Sequence, residues 1–386
     1  MSTLAATNLK HASSASNNIV LDSSGNATFA GTAVPASSFL RNRIINGDMR
    51  IDQRNAGASI SVTSTGFPVD RFYINANSFG VISGQRSTVV PTGFTNSALM
   101  TVTTARSSIA ASDVYGIRQT IEGFNTADFG WGAAAAQTVT LSFWVRSSIA
   151  GTYTVSIFNA AFNRSYVATY TINSANTFEY KTVTVAGDIT GTWATDNTAS
   201  VNVFWDLGSG SDYQATANSW VASGSIRTSG STNWISTSGA TFYLTGVQLE
   251  VGSAATPFER RQYGQELMLC QRYYEKSYNT GTAPGSSVTS STGQAVFQPT
   301  NANTTGGDIS GVVFFRVSKR AAPTGYYWDL AGNASRVSND AANNNKTISA
   351  GNVISATAEN SYTFDFIVAS ATNNRAYWCW AAGAEL

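Results

Sequence analysis

The stretch TVTLSFWVRS, residues 138–147, decides the fold class because its apolar and polar residues alternate. The odd positions hold Val139, Leu141, Phe143 and Val145, and the even positions hold Thr140, Ser142, Trp144 and Arg146. Successive side chains of a β-strand point to opposite faces of its sheet. The alternation therefore predicts a strand with one buried face.

Strands of the same kind recur along the next hundred residues. A turn at Ala150–Thr152 leads into a returning strand that carries Tyr153, Val155 and Ile157 on one face. Further strands are predicted at Ser165–Ile172, Phe178–Val185, Ser200–Leu207 and Thr241–Val251. Short strands at this spacing, separated by Gly, Ser and Asn turns, are typical of a β-sandwich or jelly roll. We assign residues 42–260 to such a domain in an all-β chain.

Residues 261–277 break the β pattern. Tyr263, Leu267, Cys270 and Tyr274 recur at helical spacing, which predicts one apolar helix face, and Glu266, Arg272, Glu275 and Lys276 take the other faces. The same spacing also fits a short heptad seam. The helix either packs on a neighbouring sheet or joins subunits at a symmetry axis, and in both cases it connects two domains.

A second β region follows the helix and a Gly/Ser/Thr-rich loop at residues 279–293. Residues 309–317 carry apolar side chains on both faces, which predicts a strand covered on both sides. Further strands are predicted at 362–366 and 377–380, where Trp378 and Trp380 share a face suited to a core. Residues 261–386 thus comprise the connecting helix and a C-terminal β domain.

Residues 1–41 contain few core-forming side chains. Asn18–Asp22 and Ala27–Phe29 flank Ser23–Asn26 and predict a β-hairpin. Because a lone two-stranded hairpin is marginal in water, it needs a partner surface. The segment is either a loose tail or an attachment arm ordered by other chains, and we favour the arm.

Composition excludes several classes of protein. The 386 residues are 12% charged with a net charge of +1, and 12% are aromatic. Low charge with many aromatics argues against disorder, and the balanced charge argues against nucleic-acid binding. The one histidine, His11, rules out His-based triads and His metal sites.

Further features of the sequence indicate the cellular compartment in which the chain is made. There is no signal-peptide pattern and no apolar run long enough to span a membrane, so we expect synthesis in the cytoplasm and no membrane insertion. The two cysteines, Cys270 and Cys379, are too few for a disulfide scaffold and are expected to be buried thiols.

Catalysis has little support in these residues. A glycosidase needs two carboxylates, and the candidates in the first β domain are Asp188, Asp196, Asp206 and Asp212. Nothing in the sequence distinguishes any of them, and a surface-loop position is the simpler interpretation of each.

Binding has more support, because aromatic faces stack on sugar rings while Asn, Asp and Gln bind hydroxyl groups. The candidates are Tyr326, Tyr327, Trp328 and Asp329, which follow the turn sequence Pro323-Thr324-Gly325, together with Trp220 and Trp234 in Ser/Gly-rich stretches. Each aromatic could instead fill a gap in a core.

Four stretches resemble bacteriophage tail-fibre and receptor-binding proteins. They are RIINGDMRIDQR (43–54), PVDRF (68–72), LSFWVRSS (141–148), which resembles a strand of carbohydrate-binding-module jelly rolls, and GVQLEVG (246–252) continuing through TPFERR (256–261) to CQRYYE (270–275). Together they span residues 43–278.

The resemblance implies a homotrimer in the virion tail, attached to tail or baseplate proteins by its N-terminal arm, with the C-terminal domain as the receptor-binding tip. It implies no required cofactor. Jelly rolls of this type often hold a structural calcium, which here would lie near Asn46, Asp48, Gln248 and Glu250, with Asp48 and Glu250 as its carboxylate ligands.

Three functions remain open from the sequence. The leading hypothesis is a non-catalytic fibre that binds a host surface glycan, with weak sites multiplied by three chains. The second is a tailspike depolymerase that cleaves that glycan, although the regular coils of a β-helix are not seen. The third is a structural tail component without receptor binding.

Overall fold

The computed structural model describes residues 7–10, 12, 19–21, 27–29, 41–77, 79–289, 295–297, 308–338, 345–346, 348–368 and 376–386. Within them the chain is all-β with one α-helix, as predicted. His11, the predicted turn Ser23–Asn26 and residues 290–293 of the loop lie outside these ranges. In the described part of the chain, no helix has the length and hydropathy that crossing a bilayer requires.

A small antiparallel sheet forms in the N-terminal region. Its strands are β1 (Asn8–Leu9), β2 (Ile19–Leu21) and β3 (Ala27–Phe29), in that order. Pairing of β2 with β3 confirms the predicted hairpin, and β1 adds a strand that the sequence did not indicate. Leu9, Val20 and Leu21 are 44%, 40% and 39% exposed, so this sheet leaves apolar side chains uncovered.

Thirteen strands build the large β-sandwich. They are β4 (Ile60–Val62), β5 (Thr65–Val69), β6 (Phe72–Asn75), β7 (Val81–Ser87), β8 (Ser97–Thr104), β9 (Gly116–Glu122), β10 (Val139–Ser147), β11 (Gly151–Asn159), β12 (Ser165–Ile172), β13 (Glu179–Val185), β14 (Ala199–Asp206), β15 (Trp220–Val221) and β16 (Thr241–Val251). Single 3-10 turns lie at Gly123–Asn125, Ala127–Phe129, Ser211–Tyr213 and Trp234–Ser236. The strands predicted at residues 138–147, 165–172, 178–185, 200–207 and 241–251 are all found within one residue of their predicted ends.

Two antiparallel sheets face each other across the main core. One has six strands in the order β13-β10-β16-β8-β7-β4, and the other has seven in the order β15-β12-β11-β14-β9-β6-β5. Phe143 of the first sheet contacts Tyr170 and Trp205 of the second, with ring centroids 5.1 and 5.6 Å apart. Burying a large apolar side chain of this kind contributes about 1.5–3 kcal/mol relative to exposure.

The turn at Ala150–Thr152 does not return the chain to the same sheet. Strand β10 belongs to the six-stranded sheet, and β11 belongs to the seven-stranded sheet. The apolar odd-numbered residues of both strands lie in the main core, because crossing between sheets turns these two faces toward each other. Alternation within a strand shows which face is buried but not which sheet holds the strand.

An entry segment, residues 42–53, docks along β16. The amide of Arg43 donates to the Leu249 carbonyl (2.8 Å), and the amide of Val247 donates to the Gly47 carbonyl (2.9 Å). A Cβ at Gly47 would lie 2.2 Å from the Val247 carbonyl oxygen, so a side chain does not fit there. The first resemblance motif therefore has a packing role in this structure.

The C-terminal region has helix α1 (Tyr263–Gln271) followed by nine strands. These are β17 (Tyr274–Lys276), β18 (Ala295–Phe297), β19 (Asp308–Phe314), β20 (Thr324–Trp328), β21 (Val337–Ser338), β22 (Asn345–Lys346), β23 (Ile348–Thr357), β24 (Ser361–Val368) and β25 (Ala376–Gly383). Strand β25 pairs with β17, β18, β20 and β21, while β19, β24 and β23 form a separate sheet. A second hydrophobic core is formed by buried residues from the sequence range 315–382 and includes Trp378 and Trp380, as predicted.

The predicted helix over residues 261–277 is too long. Helix α1 ends at Gln271, and Tyr274–Lys276 pair with β25 instead. The ladder with β25 satisfies the backbone of these residues, so tertiary pairing overrides the helical spacing. Glu266, Glu275 and Lys276, which the helix would have placed on its outer faces, are 4%, 0% and 2% exposed.

The strand predicted to be covered on both sides is covered on one. Val312 and Phe314 of β19 are 49% and 71% exposed, whereas Phe315 joins the second core. Cys270 and Cys379 are free and buried, as expected. Burial raises the pKa of the Cys379 thiol to about 11 and also raises the pKa of Cys270.

Candidate functional site

A groove of about 390 Å³ lies on the outer face of the seven-stranded sheet. Its volume is at the scale of a small-ligand site. Fourteen described residues line it: Tyr73, Asn75, Val114, Arg118, Thr120, Phe158, Ala160, Phe162, Ala199, Asn202, Phe204, Tyr213, Ile226 and Leu386.

Four neighbouring strands supply the groove floor. On β14, Val201, Val203 and Trp205 point into the main core, so Asn202 and Phe204 point outward. The same parity places Phe158 of β11, Arg118 and Thr120 of β9, and Tyr73 and Asn75 of β6 on the outer face. Phe158, Phe204 and Ile226 form an apolar cluster separate from the main core. An outer sheet face that carries buried aromatics is unusual, since that face is ordinarily polar.

Aromatic side chains on loops build one wall. The ring centroids of Phe158 and Phe162 are 4.8 Å apart, and those of Phe162 and Tyr213 are 6.0 Å apart. Phe162 has a backbone φ of 52°, a left-handed conformation that costs energy in a residue with a Cβ. The surrounding loops therefore hold this ring at the groove despite strain. Leu386 also lines the groove.

The polar groups of the groove fall into two sets. Thr120 donates to the Asn202 side chain (2.6 Å), and the Tyr73 hydroxyl lies 3.3 Å from the Thr120 hydroxyl, so these groups have partners. Arg118 Nε and Asn75 Oδ1 are buried atoms without a hydrogen-bond partner. The Arg118 guanidinium lies 4.5 Å from the Tyr73 ring centroid and 5.9 Å from that of Phe158. Unpaired buried polar atoms are costly, and a ligand that reached them would remove that cost.

The sequence reasoning did not select these groove residues. The signal that could have indicated them is the alternation of Asn202 and Phe204 with Val201, Val203 and Trp205 in a strand whose position was correctly predicted. The remaining residues come from distant parts of the chain, and only the sheet order places them together.

Trp234 is wrong as a sugar-binding candidate. Its side chain is fully buried in the main core against Phe242, with ring centroids 6.3 Å apart. Trp220 is half-buried and packs edge-to-face against Trp131 and Trp193, at 5.3 and 5.6 Å, while its indole N–H donates to the Ala186 carbonyl. Trp220 does not line the groove, and these contacts give it a packing role.

The candidates at residues 326–329 lie in different environments, because β20 directs its successive side chains to opposite faces and ends at Trp328. Tyr326 and Trp328 lie on one face of β20 with stacked rings, 6.4 Å between centroids, and Tyr326 is 51% exposed. Tyr327 packs on the second core from the other face. Asp329 is wrong as a binding candidate, because it is fully buried and accepts hydrogen bonds from Asn333. A sugar platform at Tyr326 and Trp328 stays a prediction.

The proposed calcium ligands each have partners within the chain. Asp48 forms an ion pair with Arg50, and Glu250 accepts hydrogen bonds from the Thr256 hydroxyl (2.6 Å) and the Gln248 amide (2.8 Å). The Asn46 side chain bonds the backbone of Ile51 and Asp70. Within the described ranges, no three Asp, Glu, His or Cys side chains gather as a metal cluster. A structural calcium stays a prediction.

The four aspartates considered for catalysis are scattered. Asp188 is buried in an ion pair with Arg164, and Asp196 and Asp212 are exposed. Asp206 is 1% exposed, and its burial, opposed by Arg227, raises the pKa of its carboxyl. The surface-loop interpretation was wrong for Asp188 and Asp206. None of the four lines the groove.

Residues of the resemblance motifs converge where the C-terminal region meets the sandwich. Glu122 of β9 accepts hydrogen bonds from Arg272 Nε (2.9 Å) and the Tyr273 hydroxyl (2.7 Å). The Arg71 guanidinium lies 3.5 Å from the Tyr273 ring centroid and pairs with Glu385. Glu385 of this contact is adjacent in sequence to Leu386, which lines the groove.

A second set of charges continues the same contact. Arg54 stacks on Tyr274, 3.8 Å from its ring centroid, and pairs with both Asp70 (3.3 Å) and Glu385 (2.8 Å). The motifs thus fix the two parts of the chain to each other.

Comparison with known proteins gives limited information. No protein-family model matches the chain, and no characterised protein matches it in sequence. Similar solved structures include the family 22 carbohydrate-binding module of Clostridium thermocellum Xyn10B (11% identity, 56% of this chain and 98% of that chain, TM-score 0.30). A putative sugar-binding protein of Bacteroides thetaiotaomicron also matches (13% identity, 55% and 100%, TM-score 0.29).

The enzymatically active domain of tailspike protein 4 of bacteriophage CBA120 is a third such structure (13% identity, TM-score 0.27). The match covers 55% of this chain and 22% of the tailspike chain, so it spans about a fifth of that protein. At these TM-scores the likenesses carry no argument about what this chain binds or catalyses.

Proposed function

We propose that this chain is a bacteriophage tail fibre that attaches the virion to its host by binding a surface glycan in the groove, without catalysis. The groove itself carries the proposal: aromatic rings, amide groups and unpaired polar atoms converge on an open face of a rigid sheet. Aromatic faces suit the apolar patches of sugar rings, and the polar atoms suit hydroxyl groups. The phage assignment rests on the resemblance motifs.

The fibre is proposed to be a homotrimer held in the virion tail by residues 1–41, which would contact tail or baseplate proteins. The exposed Leu9, Val20 and Leu21 of the small N-terminal sheet support this, because a sheet with uncovered apolar side chains gains stability from a partner chain. Sedimentation equilibrium of the full chain is expected to give three times the mass of one chain. A monomeric mass at micromolar concentration would contradict the trimer.

Glycan binding is tested with labelled, purified protein on host cells and on their extracted surface polysaccharide, with sugar release assayed in the same tube. The groove variants are Phe162→Ala and Tyr213→Ala. The matched control is Tyr180→Ala, which removes a 43% exposed aromatic from the other sheet. We expect saturable binding without sugar release, lost in both groove variants and kept in the control.

The other results have defined meanings. Release of sugar would overturn the non-catalytic part of the proposal and favour a depolymerase. Absence of binding to cells and polysaccharide would overturn the glycan-binding proposal and favour a structural tail component. Equal binding by the groove variants would move the site away from the groove, with Tyr326 and Trp328 as the next place to test.

A further inference from the structure

The groove contains a cation and no side-chain anion. Arg118 is the one charged side chain among the described residues that line it. The nearby carboxylate of Glu385 is already paired with Arg54 and Arg71, so it is compensated within the protein. Among the described residues that line the groove, no acidic side chain balances the charge of Arg118.

Within the groove lining, Arg118 is a guanidinium without a polar partner, unlike the paired arginines at the nearby contact with the C-terminal region. Arg71 pairs with Glu385 and donates to the Thr120 carbonyl, and Arg272 contacts both carboxylate oxygens of Glu122. Within the described residues, no ion pair or hydrogen bond involves the Arg118 side chain, and its Nε is buried and unsatisfied. Tyr73 and Phe158 hold the guanidinium plane in place. A guanidinium held against aromatic rings is suited to bind an anion through two parallel N–H donors.

Asn75 places an acceptor beside this donor. In the pairing of β6 with β9, Tyr73 faces Arg118 and Asn75 faces Gly116, so Asn75 and Arg118 are diagonal neighbours on the outer face. Its unsatisfied Oδ1 suits a sugar hydroxyl next to the anionic group. The two unpaired atoms thus match a sugar that carries both an anionic substituent and a hydroxyl group.

We propose that the groove selects an acidic glycan, with Arg118 binding a carboxylate or phosphate substituent and Asn75 accepting from an adjacent hydroxyl. This inference rests on the proposed function of the groove as a glycan site and specifies the class of its ligand. Neutral glycans leave the guanidinium without an anionic partner in the groove, and this disfavours them relative to acidic glycans.

The test measures binding of defined oligosaccharides to the full chain. The probes are oligogalacturonate, oligomannuronate and oligosialic acid, their carboxyl-methylated forms, and a phosphate-bearing glycerol teichoic acid oligomer. The variants are Arg118→Gln and Arg118→Lys. The matched control is Arg146→Gln, because Arg146 also has an unpartnered Nε and lies 4.9 Å from the Tyr243 ring centroid, but on the other sheet and outside the groove.

We expect at least one acidic probe to bind, with affinity falling about 10- to 100-fold on methylation or in Arg118→Gln, as for loss of a charged hydrogen bond. Arg118→Lys is expected to retain part of the affinity, and Arg146→Gln is expected to retain all of it. Added salt is expected to weaken binding of the acidic probes and not of their methylated forms. The carboxylate and teichoic acid probes distinguish the two sources of negative charge.

Two failures can be told apart. Binding of methylated probes as tightly as acidic ones, or unchanged selectivity in Arg118→Gln, would overturn the acidic-glycan inference and leave glycan binding in place. No binding of any probe by the unmodified chain would count against the groove as a glycan site and so against both proposals.

Discussion

The contact between Glu122 and the connecting segment gives the sharpest stability prediction. Glu122 is 1% exposed on β9 and accepts hydrogen bonds from both Arg272 and Tyr273. Removing one partner of a buried charge pair typically costs about 3–5 kcal/mol, so Glu122→Ala is expected to lower the free energy of unfolding by that amount. Tyr273→Phe removes one hydrogen bond to a charged group and is expected to cost about 1.5–3 kcal/mol.

The double variant separates a direct contact from two independent losses. Once Glu122 is gone, the fully buried Tyr273 hydroxyl has lost its acceptor, so removing that hydroxyl should cost nothing further. The coupling energy is therefore expected to be about 1.5–3 kcal/mol. Urea denaturation with an unchanged m value measures each term.

A control pair tests the specificity of this coupling. Tyr362→Phe removes another buried tyrosine hydroxyl, which accepts from the Trp378 indole (3.0 Å) in the second core and shares no partner with Glu122. Its effect should add to that of Glu122→Ala within about 0.5 kcal/mol. Additive losses for the Glu122 and Tyr273 pair would refute the docking of the connecting segment on β9.

Three further predictions concern single sites. Burial, partly offset by Asp70, lowers the pKa of Lys276 to about 8, so between pH 8 and the ordinary pKa near 10.5 the unfolded chain binds more protons than the folded chain, and stability rises with pH. Relative to Lys276→Met, the free energy of unfolding should rise by about 2 kcal/mol from pH 7 to 9.5, and a pH-independent difference would contradict this. Trp234→Ala should lower the free energy of unfolding by about 3–5 kcal/mol by leaving a cavity in the main core, whereas Tyr326→Ala, at a 51% exposed site, should change it little. Similar melting temperatures for the two variants would be inconsistent with the burial of these side chains. Gly47→Ala should destabilise the chain by at least about 1–3 kcal/mol, because its methyl group would meet the Val247 carbonyl; wild-type stability in chemical denaturation would show that the entry segment does not dock as described.

Strand positions could be predicted from sequence because alternation is a local property. The strand over residues 138–147 was found within one residue of its predicted ends, because the alternation that predicts it lies entirely within those consecutive residues. Sheet membership is not local, so the sequence did not show that β11 lies in the opposite sheet from β10. The helix predicted over residues 274–276 was wrong for the same reason, because the strand that pairs with them lies about a hundred residues further along the chain.

The candidate site was less accessible to sequence reasoning. Loop-like composition around Trp234 suggested exposure, yet flanking Ser and Gly residues do not determine whether an aromatic side chain is buried. The groove depends on outward residues of β6, β9, β11 and β14, which become neighbours only after the sheet is ordered. Arg118 stands out only when the missing partner of its side chain can be seen.

The pairing of Glu385 with Arg54 and Arg71 has a consequence for biosynthesis. Ribosomes add about 5–20 residues per second, so Glu385 is synthesised on the order of ten seconds after Arg260. During that interval the nascent sandwich can form its apolar core, but the two arginines lack their shared acid. This part of the contact is completed only after Glu385 has been synthesised, later than the contact of Arg272 and Tyr273 with Glu122.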